Sequence, residues 1–163
     1  LILHRRGLLM GAGALALSAC SPETSEAGEG QYAASPYRRV SDADWRRRLG
    51  DASWRVMRHE GTERPYSSPL NAEHRDGRFL CKGCAQPLFS SRTKFDSGTG
   101  WPSFWAPLAN GVATRTDSTL GMTRVEVHCR RCGGHLGHVF DDGPQPTGKR
   151  YCMNGAAMAF RPA

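Results

Sequence analysis

The sequence predicts a mainly β, antiparallel domain with short helices at its N-terminal end. Three observations carry that reading. Nineteen glycines and ten prolines are spread through 163 residues, which calls for many turns and therefore for short strands. Residues 122–128 (Met-Thr-Arg-Val-Glu-Val-His) alternate in part with period two, the spacing of a half-buried strand. Two C-x-x-C knuckles, Cys81/Cys84 and Cys129/Cys132, stand at the ends of strand-like runs. Hydrophobic residues make up 39% of the chain, enough for a packed core and too many for a disordered one.

Taken in order, residues 1–20 read as an export signal outside the fold. His4-Arg5-Arg6 is a charged n-region, and residues 7–19 are almost wholly apolar. That run is shorter than the ~20 apolar residues that span a bilayer, and it matches a signal h-region. Leu17-Ser18-Ala19-Cys20 resembles a bacterial lipobox, in which the Cys20 thiol would carry lipid and anchor the mature chain to a membrane. An ordinary signal peptide that contains a cysteine is the alternative. Arg5-Arg6-Gly7 also looks like a twin-arginine signal, although His4 is not the usual flank, so both export routes stay open. The expected location is the periplasmic face of a bacterial membrane, with Ser21 pointing weakly to the outer one. Residues 21–36 are small, polar and acidic and read as a tether. Residues 37–163 are expected to form the folded domain.

Within that domain Ser41 reads as an N-cap, with Asp42 and Asp44 in the first turn. Trp45 and Leu49, spaced i, i+4, give one short amphipathic helix ending at Gly50. Asp51 is expected to cap a second helix through Trp54, Val56 and Met57. Thr62-Glu63-Arg64-Pro65 breaks the pattern. Arg78-Phe79-Leu80 enters the first knuckle and Pro87-Leu88-Phe89 leaves it. The 122–128 strand, with Met122, Val125 and Val127 as candidate core residues, runs into the second knuckle. Residues 158–160 are the last strand.

The net charge of +7 raises a nucleic-acid reading. Much of the excess lies in Arg38-Arg39 and Arg46-Arg47-Arg48, away from the cysteines, and exported proteins rarely meet nucleic acid. A solvated or membrane-facing basic face is the better reading.

The x-x spacing lets both sulfurs of a knuckle face one ion. Four thiolates satisfy a tetrahedral zinc ion and leave no open position, so Cys81, Cys84, Cys129 and Cys132 predict one structural zinc. Two disulfides or a redox C-x-x-C are the alternatives. Of six cysteines, these four and Cys20 leave Cys152 over. It lies in Arg150-Tyr151-Cys152-Met153-Asn154, a lone thiol near an arginine and a candidate nucleophile, although most free cysteines are inert core residues.

Three further segments look too specific for packing: residues 97–105 (Ser-Gly-Thr-Gly-Trp-Pro-Ser-Phe-Trp), 134–144 (Gly-His-Leu-Gly-His-Val-Phe-Asp-Asp-Gly-Pro) and 148–154 (Gly-Lys-Arg-Tyr-Cys-Met-Asn). Together with the knuckles and Lys94-Phe95-Asp96 they resemble the peptide-methionine (R)-S-oxide reductases, the B-type methionine sulfoxide reductases, over roughly residues 40–160. The resemblance implies two small antiparallel sheets with short N-terminal helices and a four-cysteine zinc site. It implies reduction of the R epimer of methionine sulfoxide in peptides and proteins, through a Cys152 sulfenic acid.

Sulfoxide reduction needs a thiolate, a proton donor at the oxygen and an apolar pocket for the methyl group. Cys152 supplies the thiol, and Arg150 can favour its thiolate. His135 and His138 lie on a tight Gly-rich segment and can serve as acid and water-holder, with His138 the donor and His135 assisting. Asn154 can orient a histidine or a bound water. Trp101 offers a flat apolar face, and Phe140 and Asp142 complete the implied substrate site. Phe104 reads as core.

Many members of that family carry a resolving cysteine where this chain has Thr99. No thiol is left for an internal disulfide, so a thioredoxin-like protein or a small thiol must reduce the sulfenic acid. Repair of oxidised exported proteins is the role this implies. A zinc-ribbon module binding an anionic polymer, and a thiol peroxidase, are the competing readings. The first leaves Trp101, His135, His138 and Cys152 unexplained.

Overall fold

The computed structural model describes residues 32–118 and 121–163. The export signal and most of the tether lie outside the described residues. Among the described residues no helix is long and apolar enough to cross a membrane.

The first helix, α1 (Asp42–Leu49), forms where the capping chemistry predicts it. Ser41 Oγ accepts from the Asp44 amide, acids fill the first turn, and Arg46, Arg47 and Arg48 fill the last. Trp45 and Leu49 are its buried residues. Gly50, at φ 74°, ends it. Asp51 does not cap the next helix. It is the first residue of α2 (Asp51–His59), Gly50 stands in the cap position, and no side chain caps that end. The Asp51 carboxylate instead pairs with Arg46 at 2.7 Å. Val56 and Met57 are buried on α2.

Nine strands follow among the described residues. β1 (Gly77–Cys81) pairs antiparallel with β2 (Pro87–Ser90) and with β9 (Met158–Pro162), giving a three-stranded sheet in the order β2-β1-β9. The other six are β3 (Lys94–Phe95), β4 (Ser103–Phe104), β5 (Val112–Asp117), β6 (Arg124–Cys129), β7 (His135–Phe140) and β8 (Arg150–Met153). They form an antiparallel sheet in the order β3-β4-β8-β7-β6-β5. The expected fold class is the observed one.

Aromatic rings join the two sheets. Phe104 of β4 stacks on Phe89 of β2 at 4.3 Å and meets Phe79 of β1 edge-on at 4.9 Å. Phe160 of β9 lies 5.1 Å from Phe79. All but Phe160 are fully buried, and each such pair adds about 0.5–1.5 kcal/mol beyond its burial.

The 122–128 strand departs from its expected pattern. Val127 is core, but Met122 is 59% and Val125 41% exposed. The residue buried between the valines is Glu126. Its carboxylate is matched by Arg115 on β5 and His135 on β7, which makes a buried acid tolerable.

Candidate active site

The four knuckle cysteines converge where the β1–β2 turn meets the β6–β7 connection. Their sulfurs all lie within 4.8 Å of one another, and all four residues are buried. Cys81 Sγ is 3.6 Å from Cys132 Sγ, and Cys84 Sγ is 3.5 Å from Cys129 Sγ. A disulfide needs ~2.05 Å, so neither of these pairs is bonded. A Zn–S length of about 2.3 Å puts tetrahedral sulfurs ~3.8 Å apart, close to what is seen, so the residues fit the ion. α1 and α2 pack over the cluster: a Cβ at Gly134 would meet Met57 Cε at 2.9 Å, and one at Gly83 would meet Trp45 at 3.1 Å.

Cys152 is the one described cysteine outside that cluster. It sits on β8, flanked by Ser103 on β4 and His138 on β7. The β7–β8 approach is close. A Cβ at Gly137 would stand 2.1 Å from the Cys152 carbonyl oxygen, so only glycine fits there. Half-buried Cys152 lines a cavity of ≈180 Å³ together with Thr62, Trp101, Arg124, Gly137, His138, Phe140 and Asn154. Of these, Trp101, His138, Phe140, Cys152 and Asn154 are the site residues expected from the sequence, and Thr62 and Arg124 are additions. A larger cavity, ≈580 Å³, lies along β1, β2 and the C-terminal residues with Arg78, Arg92 and Arg161, and has no nucleophilic thiol in its lining.

Burial pushes the Cys152 thiol above its ordinary value of 9.0. The Thr99 hydroxyl, the Arg150 guanidinium and the Ser103 hydroxyl pull it down without cancelling that. Arg150 therefore favours the thiolate but does not by itself produce one at neutral pH. Thr99 Oγ1 is 3.9 Å from the sulfur and begins a hydroxyl chain through Ser97 to Ser103, with links of 2.8 and 2.7 Å.

Arg150 is held from both sides. Its fork grips the Asp142 carboxylate with two bonds of 2.8 Å, and its guanidinium lies 4.5 Å over the Phe140 ring. Asp142 itself is exposed and outside the cavity lining. Its link to the pocket runs through Arg150.

The two histidines sit on strand β7 rather than on a turn. Three positions apart, they should face opposite ways, but the β6–β7 register shifts between Val127 and His128. This irregularity lets the rings approach to 5.4 Å. His138 Nε2 hydrogen-bonds Asp117 Oδ2 at 2.8 Å. Burial pushes its pKa below the ordinary 6.5. The Asp117 bond offsets this in part, and the Arg124 charge adds to it. His135 is deeper and bonds Glu126 Oε1 through Nδ1 at 2.7 Å. It lines a neighbouring cavity that shares Thr62, Arg124 and His138 with the first. Asn154 does not orient a histidine ring directly: its side chain accepts from the Glu63 amide and donates to the Leu136 carbonyl.

Four further residues, none given a role by the sequence, support this site. Asp117 and Glu126 hold the histidines, Ser103 faces the thiol, and Glu63 binds both Trp101 and Asn154. A charged residue inside the 122–128 strand was the one available signal for Glu126.

Comparison with known proteins agrees with the geometry. The SelR domain model matches residues 49–162. The chain is 51% identical over 129 residues to the peptide methionine sulfoxide reductase MsrB of Agrobacterium fabrum, covering 78% of this chain and 96% of that one. The chain belongs to the MsrB family of peptide methionine sulfoxide reductases. The MsrB of Thiobacillus denitrificans is 52% identical over 75% of this chain and 93% of its own. The MsrB of Methanosarcina barkeri is 48% identical over 74% of this chain and 86% of its own. This MsrB-family chain is an oxidoreductase, and its four-cysteine cluster suits the expected structural zinc.

Proposed function

We propose that this chain reduces the R epimer of methionine sulfoxide in peptides and proteins, with Cys152 as the nucleophile. The observation that carries this is the half-buried Cys152 thiol sharing one small cavity with His138, Trp101 and Phe140. The ring of Trp101 receives the substrate methyl group, and a sulfur–aromatic contact there contributes ~0.3–1.5 kcal/mol.

The starting state is a thiol beside a neutral imidazole, given the raised Cys152 and lowered His138 pKa values. His138 takes the thiol proton as the sulfur attacks and returns it to the sulfoxide oxygen. The sulfoxide S–O bond breaks, a Cys152 S–O bond forms, and methionine leaves. Cysteine is oxidised by two electrons to the sulfenic acid as methionine sulfoxide is reduced by two. Asp117 orients His138, and Glu126 with His135 supports it from behind. A first external thiol then displaces water to give a mixed disulfide, and a second releases Cys152. Cys81, Cys84, Cys129 and Cys132 would hold a structural zinc, which would supply folding energy and no chemistry.

The reductant we propose is a thioredoxin-like protein or small thiol, since no second thiol stands by Cys152 among the described residues. Leu17-Ser18-Ala19-Cys20 supports an exported chain, lipid-anchored through Cys20 on the periplasmic side, repairing oxidised exported proteins. Mass spectrometry of the mature N-terminus tests the anchor: an unmodified chain starting after Cys20 sinks it. The activity is tested with dithiothreitol and separated R and S epimers of a methionine-sulfoxide peptide. Loss of the R epimer alone, abolished by Cys152→Ser, is the expected result. No turnover by folded, zinc-loaded protein would make the zinc-ribbon module the leading reading.

A further inference from the structure

We propose that Glu63 is a positioning residue for this reaction, bracing the Trp101 wall of the cavity against the end of the Cys152 strand. The proposal rests on the sulfoxide-reductase reading. The segment around Glu63 reads in sequence as a mere break between helix and strand. In the fold it is a strap between two parts of the site.

On one side it is tied to the loop that carries Trp101. The Glu63 carbonyl accepts from Trp101 Nε1 at 3.1 Å. Three residues on, the Tyr66 amide donates to the Gly100 carbonyl at 2.7 Å, and the Tyr66 hydroxyl donates to the Gly98 carbonyl at 2.7 Å. The contact is tight: a Cβ at Gly100 would stand 2.8 Å from both Pro65 and Tyr66 atoms.

On the other side it is tied to the residues just after Cys152. The Glu63 amide donates to Asn154 Oδ1 at 3.0 Å. Its carboxylate accepts from the Gly155 amide at 2.6 Å and from the Ala156 amide at 2.8 Å. Asn154 passes the connection to β7, donating through Nδ2 and through its amide to the Leu136 carbonyl at 3.0 and 2.8 Å. Trp101, Glu63, Asn154 and the His138 strand thus form one hydrogen-bonded line across the cavity.

The choice of an acid is informative. The chain has a net charge of +7 and Arg64 is the next residue, yet both Glu63 carboxylate oxygens accept from backbone amides. Two oxygens on two successive amides fix a direction in a way that one long ion pair does not. Gly155 makes room for this, since a Cβ there would stand 1.9 Å from Ser68 Oγ.

Glu63 joins the Trp101 wall through its carbonyl to the residues after Cys152 through its amide and carboxylate, and none of these bonds reaches the Cys152 sulfur, which Thr99, Ser103 and Arg150 influence instead. A misplaced wall weakens substrate binding, so the loss should fall on KM. Glu63→Gln, which keeps one acceptor, should raise KM for the R-sulfoxide peptide about tenfold and change kcat less than about threefold. Glu63→Ala should raise KM further. The pH profile of Cys152 alkylation by iodoacetamide should overlay that of the wild type. Trp101→Phe, which removes the indole donor, should raise KM in the same way, and combining it with Glu63→Gln should cost less than the sum.

Unchanged KM in folded Glu63→Gln, even with a lowered melting temperature, overturns the proposal, because the role is then structural only. A shifted alkylation profile also overturns it, because Glu63 then acts on the thiol. If Glu63→Ala does not fold, Glu63→Gln and Trp101→Phe decide. Wild-type protein that reduces neither epimer overturns the reductase reading and the proposal with it, which separates the two failures.

Discussion

Thr99 Oγ1 lies 3.9 Å from Cys152 Sγ. A side chain at position 99 is therefore within reach of the sulfur proposed to become a sulfenic acid. Thr99→Cys changes little in volume and places a second thiol there. One equivalent of substrate, without reductant, should then close an internal disulfide between the introduced thiol and Cys152. Two free thiols are lost in that variant, where the wild type loses one. Thiol titration with mass spectrometry after a single turnover reads this. A count equal to the wild type would mean that the 97–101 loop does not hold position 99 against Cys152.

The pH dependence follows from the two shifted groups. Cys152 is raised above 9.0 by burial, so the thiolate fraction grows through neutral and mildly alkaline pH. His138 is lowered below 6.5, so it is neutral at pH 7 and becomes protonated only on the acid side. Both effects favour higher pH: kcat/KM should fall as acid protonates His138 and should rise towards pH 9. Iodoacetamide alkylation of Cys152 should show a midpoint above 9.0, and Thr99→Val, which removes a lowering hydrogen bond, should move it higher. A midpoint near 7 would contradict the buried-thiol state.

The zinc reading makes a separate demand. Stoichiometric metal analysis should give one zinc per chain. Cys81→Ser should cost about 4 kcal/mol or more, the scale of losing a structural metal, and a chelator should lower the melting temperature of the wild type towards that of the variant. A Cys81→Ser protein that melts normally without zinc would leave the cluster as four packed thiols.

The parts of this molecule that could be read in sequence are those whose cause is local. The cap at Ser41 needs only the next three residues. The knuckles announce themselves by spacing, and β1 and β2 by the apolar runs that flank the first of them. The strand at 122–128 is half legible. Its apolar letters suggest Met122, Val125 and Val127 as core, but only Val127 is; Met122 and Val125 are exposed and Glu126 is buried, with partners Arg115 and His135 that lie 11 and 9 residues away on other strands. Glu63 is illegible for a stronger form of the same reason. Its contacts to Trp101 and to residues 154–156 span 38 to 93 positions, and no local pattern encodes them. Cys152, Trp101, His138 and Phe140 stand out through family-like motifs, and the fold explains why they belong together: β8 lies between β4 and β7.

That strand order makes Gly137 a sharp test of the site. Its missing side chain lets β7 approach β8 until the Cys152 carbonyl would be 2.1 Å from a Cβ. Gly137→Ala must therefore push the strands apart at the residue that carries the proposed nucleophile and at the one beside His138. Overpacking of this kind costs typically ~1–3 kcal/mol, and the displacement should lower kcat/KM by about a hundredfold. Gly148→Ala is the control. It has φ 69° and open space around its Cβ, so it should cost only about 1 kcal/mol of backbone strain and leave kcat/KM within about threefold of the wild type, because nothing links that strain to the transition state. Thermal melts and steady-state kinetics on both variants separate the two. Equal effects from Gly137→Ala and Gly148→Ala would mean that the close β7–β8 approach does not set the distance between His138 and Cys152.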